Sequence, residues 1–140
     1  RRSGAELSII LLDVDYFKSY NAHYGHPAGD MVLQKLADIM QRASTRAGEV
    51  VGRYGGEEFI LILPGASASS ALRTASRLRE MIAQERIPHA TSLVAEYITI
   101  SQGVITVRPD GEQQSTHLIQ LADKALYNAK GAGRNAIAVE

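Results

Sequence analysis

Apolar residues recur along this chain with two different periods, and the switches between them mark out the elements. Leu7–Val14 (LSIILLDV) is nearly all apolar, as a strand covered on both faces should be, and it ends in acid. Residues 16–30 (YFKSYNAHYGHPAGD) mix aromatics with two glycines and a proline, which predicts a short helix or turn followed by a loop. Asp30 then opens a helix whose stripe is Leu33, Leu36, Ala37 and Met40, spaced i, i+3, i+4 and i+7. VVGRY and EFILILP flank Gly55-Gly56, the signal of a hairpin. Ser67–Arg86 is amphipathic, with Ala71, Leu72, Ala75, Leu78 and Ile82 inward and Pro88 barring its continuation. EYITISQGVITV is rich in β-formers, and Gly103 within it predicts a bulge or the close approach of another backbone. RPDGEQQ reads as a polar loop. Ser115–Lys130 reads as a helix (Leu118, Leu121, Ala122, Ala125, Leu126, Ala129) closed by Gly131, and AIAVE as a last strand.

The resulting order is β, α, α, β, β, α, β, α, β. A hairpin inside a βα frame predicts one α+β domain over residues 1–140, with a mixed, mainly antiparallel sheet flanked by helices.

Composition narrows the chemistry. The chain has 15 basic and 15 acidic residues, so no net field draws it to nucleic acid or to an anionic membrane surface. An anionic ligand must be held by local cations. There is no cysteine, so a metal would need oxygen or histidine ligands. No apolar run reaches the roughly 20 residues that span a bilayer, and no signal-peptide pattern is present, so the expectation is a soluble, cytoplasmic segment. Its abrupt start, RRSGAELSIILL, leads to the expectation of a piece cut from a longer chain.

Asp13 and Asp15 stand two apart at the end of the first strand, and so on one face if the strand extends that far. Glu57 and Glu58 follow the Gly-Gly turn. If the hairpin neighbours the first strand, four carboxylates converge at one sheet edge and raise one another's pKa unless a hard cation joins them. Lys18, Lys130 and Arg134 are candidates for the phosphate end of a ligand, although each singly also reads as a solvated charge. Asn21 and Asp30 carry the donor and acceptor groups that read a purine edge, although each singly also reads as a turn residue or N-cap.

DVDYFKSYNAHYGHPAGDMVL, RYGGEEF and ADKALYNAKGAGRN, in that order, resemble the GGDEF domain, the diguanylate cyclase family, from Leu7 to the C-terminus. The resemblance implies a core like that of adenylyl cyclases and the polymerase palm (ferredoxin-like). It implies condensation of two GTP into cyclic di-GMP with loss of two pyrophosphates, on Mg²⁺ (or Mn²⁺), across a homodimer of half-sites. Asp13 and the Val14 carbonyl fall at the family's metal positions. Glu57 is its second metal carboxylate, with a part in activating the attacking 3′-hydroxyl, and Glu58 supports it. Asn21 and Asp30 fall at the guanine-reading positions, with Leu33 and Tyr16 as walls for the base. His26 lies close by, as a ligand contact or as loop support. The backbone at Phe17, with Lys18, Lys130 and Arg134, matches the phosphate side. Gly55 and Gly56 stay bare because a side chain would meet the α-phosphate and ribose.

Three departures from the pattern change the expectations. The product-inhibition motif Arg-x-x-Asp becomes Arg46-Ala47-Gly48-Glu49, whose longer acid predicts weakened product binding at Arg46 and Glu49. Ala22 replaces a common Asp at a position that makes no contact. The helix that precedes the first strand in the family is missing here, so weaker GTP binding is expected of the isolated segment, with stable pairing supplied by an upstream regulatory region. The competing reading is a catalytically silent module that binds GTP or cyclic di-GMP.

Overall fold

The computed structural model describes residues 5–108 and 115–140. β1 (Leu7–Val14) runs down the middle of a five-stranded sheet ordered β2-β3-β1-β4-β5. It pairs antiparallel with β3 (Glu58–Pro64) on one side and with β4 (Ile100–Val107) on the other. β2 (Val50–Arg53) extends the hairpin at one edge, antiparallel to β3. β5 (Ile137–Val139) adds the one parallel pairing, to β4. The sheet is therefore mixed and mainly antiparallel, as the element order predicts.

Alternation along β1 assigns its two faces. Ile10, Leu12 and Val14 point into the larger core with helices α2 (His26–Ala43) and α3 (Ala68–Glu85), through Leu36, Ile39, Met40, Ala75, Leu78 and Ile82. Ile9 and Leu11 point the other way, under α4 (Ser115–Gly131), against Leu118, Ala122, Ala125 and Leu126. Asp13 shares the α4 face by the same alternation. Both faces of β1 are thus covered, which is why its sequence is an apolar run instead of an alternation.

Gly103 explains how closely α4 lies on the sheet. The β1–β4 register passes through Leu11 and Gly103 without a bulge. A Cβ at Gly103 would come 2.2 Å from the Leu126 nitrogen and 2.8 Å from the Ala122 carbonyl oxygen. Of the two readings of this glycine, close backbone approach is the correct one.

Two boundaries differ from the sequence reading. The second helix begins at His26, not Asp30, because Pro27 takes one of its first positions, where a missing N–H costs nothing. β4 begins at Ile100: residues before it turn back, with the Ile98 N–H donating to the Ile87 carbonyl at 2.8 Å, and so leave the sheet. α3 matches its prediction, with the Ser67 hydroxyl accepting from the Ser70 N–H at 3.2 Å as N-cap. Of the polar loop RPDGEQQ, all but Arg108 lies outside the described residues.

Candidate active site

β1 ends at Val14, and the chain must then turn sharply into α1 (Phe17–Tyr24). Tyr16 makes that turn with φ 55°, a left-handed conformation costing a non-glycine residue about 1–3 kcal/mol. Opposite it, Arg134 and Asn135 hold φ of 64° and 46° in the turn that follows α4. Strain concentrated in two facing turns needs strong anchors, and Asp15 provides them. Its buried carboxylate accepts from the Thr99 hydroxyl (2.7 Å), the Ser101 hydroxyl (2.6 Å) and the Asn135 N–H (2.9 Å). Asp15 lines the same cleft as Asp13 but spends its carboxylate on these anchors, so it does not add the free acid beside Asp13 that the two-apart reading expects. The strand stops one residue too early, and the chain turns Asp15 inward to tie the two turns together.

These turns frame a cleft of about 180 Å³ lined by Asp13, Val14, Asp15, Tyr16, Phe17, Lys18, Glu57, Lys130 and Arg134. Residues more than a hundred positions apart thus share one site, as the three separated motifs predict. The Arg134 guanidinium lies over the Tyr16 ring at 4.7 Å, which fixes the cation at the cleft wall. Tyr16, expected beside Leu33, belongs to this cleft instead, because its left-handed backbone carries the ring toward Arg134. Lys18 is exposed at the cleft margin.

The carboxylates are arranged by strand register. Asp13 pairs directly with Glu58, so the two point to the same face. Lys130 from α4 reaches in and donates to Asp13 Oδ2. Burial raises the Asp13 carboxyl above the ordinary range, and the Lys130 ammonium opposes that shift without cancelling it. Glu58 is also raised, first by burial and then by the Asp13 charge. Asp13 Oδ1 is buried with no hydrogen-bond partner among the described residues. An unpaired carboxylate oxygen is costly, and it fits a hard cation. Among the described residues no three acidic or histidine side chains stand close enough to hold an ion by themselves, so other oxygens must complete any such site.

The hairpin turn supplies Glu57, whose backbone carbonyl accepts from the Val14 N–H at 3.3 Å. Arg53 clasps this turn from outside, donating from Nη2 to the Gly56 carbonyl at 2.6 Å, with its guanidinium over the Phe59 ring. Neither Gly55 nor Gly56 has a positive φ. A Cβ at Gly56 would meet open space, and one at Gly55 only the Glu58 carboxylate at 3.3 Å. The fold itself does not require either glycine to be bare.

A second cleft, of about 370 Å³, is lined by Asp30, Leu33, Gln34, Ala37, Asp38 and Arg53. Asn21 projects from α1 against the start of α2, half-buried, and its Oδ1 has no hydrogen-bond partner among the described residues. His26 is exposed at the first residue of α2. Arg46 and Glu49 lie elsewhere, in a small cleft with Arg73, Thr74 and Arg77. There the Glu49 carboxylate accepts from the Arg46 N–H at 3.3 Å, while Arg77 donates to the Ala43 carbonyl at 3.1 Å. Arg53, Arg73 and Arg77 carry no pattern in the sequence that distinguishes them from surface arginines. The anchoring of Asp15 has a faint one, in the hydroxyls of Thr99 and Ser101 on alternate positions of a β-rich stretch.

Comparison with known proteins agrees with this geometry. The family model described as diguanylate cyclase, GGDEF domain, matches residues 1–136. Diguanylate cyclase A of Treponema denticola is 41% identical over 131 residues, covering 94% of this chain and 34% of that protein. Diguanylate cyclase DosC of Escherichia coli is 38% identical over 136 residues, 97% of this chain and 29% of that protein. This chain thus spans about a third of the length of these relatives. Among solved structures, the GGDEF domain of DgcB from Caulobacter crescentus in complex with c-di-GMP superposes with a TM-score of 0.85 at 31% identity, covering 97% of this chain and 78% of that one. The active GGEEF domain of a diguanylate cyclase from Vibrio cholerae does so at 0.81 and 33%, covering 96% and 83%. A chain in which a family model spans nearly every residue, and whose sheet places the three family motifs around one cleft, belongs to the GGDEF diguanylate cyclase family.

Proposed function

We propose that this domain is one half-site of a diguanylate cyclase, which condenses two GTP into cyclic di-GMP. The observation that carries the reading is the Asp13 carboxylate. It is buried, keeps one oxygen without a partner among the described residues, and shares its cleft with Glu57, Lys18, Lys130 and Arg134. A buried acid with a free oxygen beside three cations suits a metal–triphosphate. Asp13, the Val14 carbonyl and Glu57 would hold Mg²⁺ (or Mn²⁺), with phosphate oxygens completing its shell. When bound, the ion offsets the charge that develops on the phosphates.

The chain's own groups account for the rest. Lys18, Arg134 and the backbone N–H groups at the start of α1 face the triphosphate. Lys130, which donates to Asp13 in the free domain, would also be within the cleft that receives the phosphates. Asn21 and Asp30 read the guanine edge, with Leu33 beside the base. Gly55 and Gly56 are bare for the sake of the ligand, since nothing in the fold crowds a Cβ at Gly56. The 3′-hydroxyl of one GTP attacks the α-phosphorus of the GTP opposite, forming one P–O bond as the bond to pyrophosphate breaks. Glu57 helps to activate that hydroxyl by accepting its proton. The event occurs twice, which closes the ring. At the Arg46–Glu49 cleft the acid is held by its own turn while three arginines surround it, so we assign weak cyclic di-GMP binding there.

Incubation of the full-length protein with Mg²⁺ and GTP, followed by chromatographic separation, should yield cyclic di-GMP and pyrophosphate in a one-to-two ratio. ATP should be a poor substrate, because a site built to bond the guanine N–H groups leaves its carboxylate unpaired against adenine. Binding of GTP without either product would favour the silent module instead.

A further inference from the structure

Gly29 lies where the first turn of α2 crosses α1, and it is buried there. It sits inside the helix without a positive φ, so its backbone geometry suits any residue. What excludes a side chain is Asn21. A Cβ built at Gly29 would stand 1.7 Å from Asn21 Oδ1 and 2.8 Å from its Cγ, with the Phe17 ring next at 3.1 Å. The Asn21 carboxamide is therefore seated directly on the α2 backbone, with Oδ1 buried against it. Its nitrogen is left as the end of the group free to donate. Asn21 has two side-chain torsions, so an added methyl at residue 29 would swing the carboxamide out of this seat before it moved either helix.

We propose that Gly29 is a specificity-determining residue that acts through Asn21: the missing side chain at Gly29 fixes the direction in which Asn21 presents its amide to the base. The inference rests on the guanine-reading role proposed above for Asn21. Gly29 touches no substrate atom in this scheme and is a positioning residue. Its replacement should change nucleotide choice more than it changes the fold.

The test is a double-mutant cycle in the full-length protein, with GTP and ATP affinities measured by calorimetry and the melting temperature recorded for each variant. Asn21→Ala should weaken GTP binding about tenfold while leaving ATP binding nearly unchanged, the loss expected for one hydrogen bond to a base edge. Gly29→Ala should produce a similar loss on GTP alone. Asn21→Ala/Gly29→Ala, in which the methyl has room, should fold and bind GTP no worse than Asn21→Ala. Wild-type GTP affinity in Gly29→Ala, beside a weakened Asn21→Ala, would overturn the role of Gly29 while leaving that of Asn21 intact. Losses that multiply in the double variant would also overturn it, because Gly29 would then act through Phe17 or the helix crossing. Unchanged GTP binding in Asn21→Ala would remove the guanine-reading role and the inference with it.

Discussion

Asp13 is held in an environment that would suit a hard cation better than it suits the empty fold. Burial raises its carboxyl, Lys130 opposes the rise, and Asp15 adds like charge. A folded state that raises a carboxyl pKa binds that proton more tightly than the unfolded chain does. Stability therefore declines as pH climbs from the ordinary carboxylate range through the raised value. Asp13→Asn removes the penalty and leaves Lys130 partly in water. In the presence of a chelator the variant should melt a few degrees above wild type at neutral pH, with the gap closing as pH falls, while turnover is lost. A variant that melts lower at every pH would show that the Lys130 contact outweighs the buried charge. At this scale the sequence was legible in singling out Asp13, Glu57 and Arg134, which the fold brings to one cleft. It misled at Asp15, because spacing along a strand reveals a face only while the strand lasts. Whether a carboxylate faces a ligand or the hydroxyls of Thr99 and Ser101 depends on contacts more than eighty residues away.

Elements were read well wherever burial imposed a period. β1, α3 and α4 each announce themselves through an apolar run or stripe, and the hairpin through Gly55-Gly56. The start of α2 was hidden because its first turn, His26 to Gly29, packs through Ala28 and a glycine, with Pro27 exposed, instead of through an apolar stripe. Gly103 shows an element-scale constraint that the sequence expressed as an absence. The Cβ of an alanine there would sit 2.2 Å from the Leu126 nitrogen and 2.7 Å from the Ala125 carbonyl carbon, both backbone atoms that cannot rotate away. Gly103→Ala must push α4 off the sheet, and overpacking of this kind costs about 1–3 kcal/mol. Urea unfolding should report a loss in that range with an unchanged slope. Because α4 carries Lys130 and leads into the turn of Arg134, activity should fall with it. An alanine variant as stable as wild type would mean that α4 adjusts freely, and that its close packing does not position the two cations.

At the scale of the whole molecule, the topology draws the site together. Placing β1 between β3 and β4 brings the acids of residues 13 and 57–58 side by side, and α4 returns the cations of residues 130 and 134 over them. On the proposed reading the cleft of Asp13 takes the phosphates and that of Asp30 the base, enough for one GTP. A reaction joining two GTP needs a second domain facing the first. Facing triphosphates repel, so pairing should be transient unless another region raises the effective concentration. The sequence announced the shared cleft through its three motifs, but no apolar patch in it stands out as a surface for pairing. The most direct test of the account is the rate of cyclic di-GMP formation by this domain, with Mg²⁺ and saturating GTP, across about a hundredfold dilution, with its mass followed in parallel. The account predicts a domain that is mainly monomeric, with specific activity that rises with concentration. Specific activity that stays flat while the domain remains monomeric, or no cyclic di-GMP at any concentration, would contradict it.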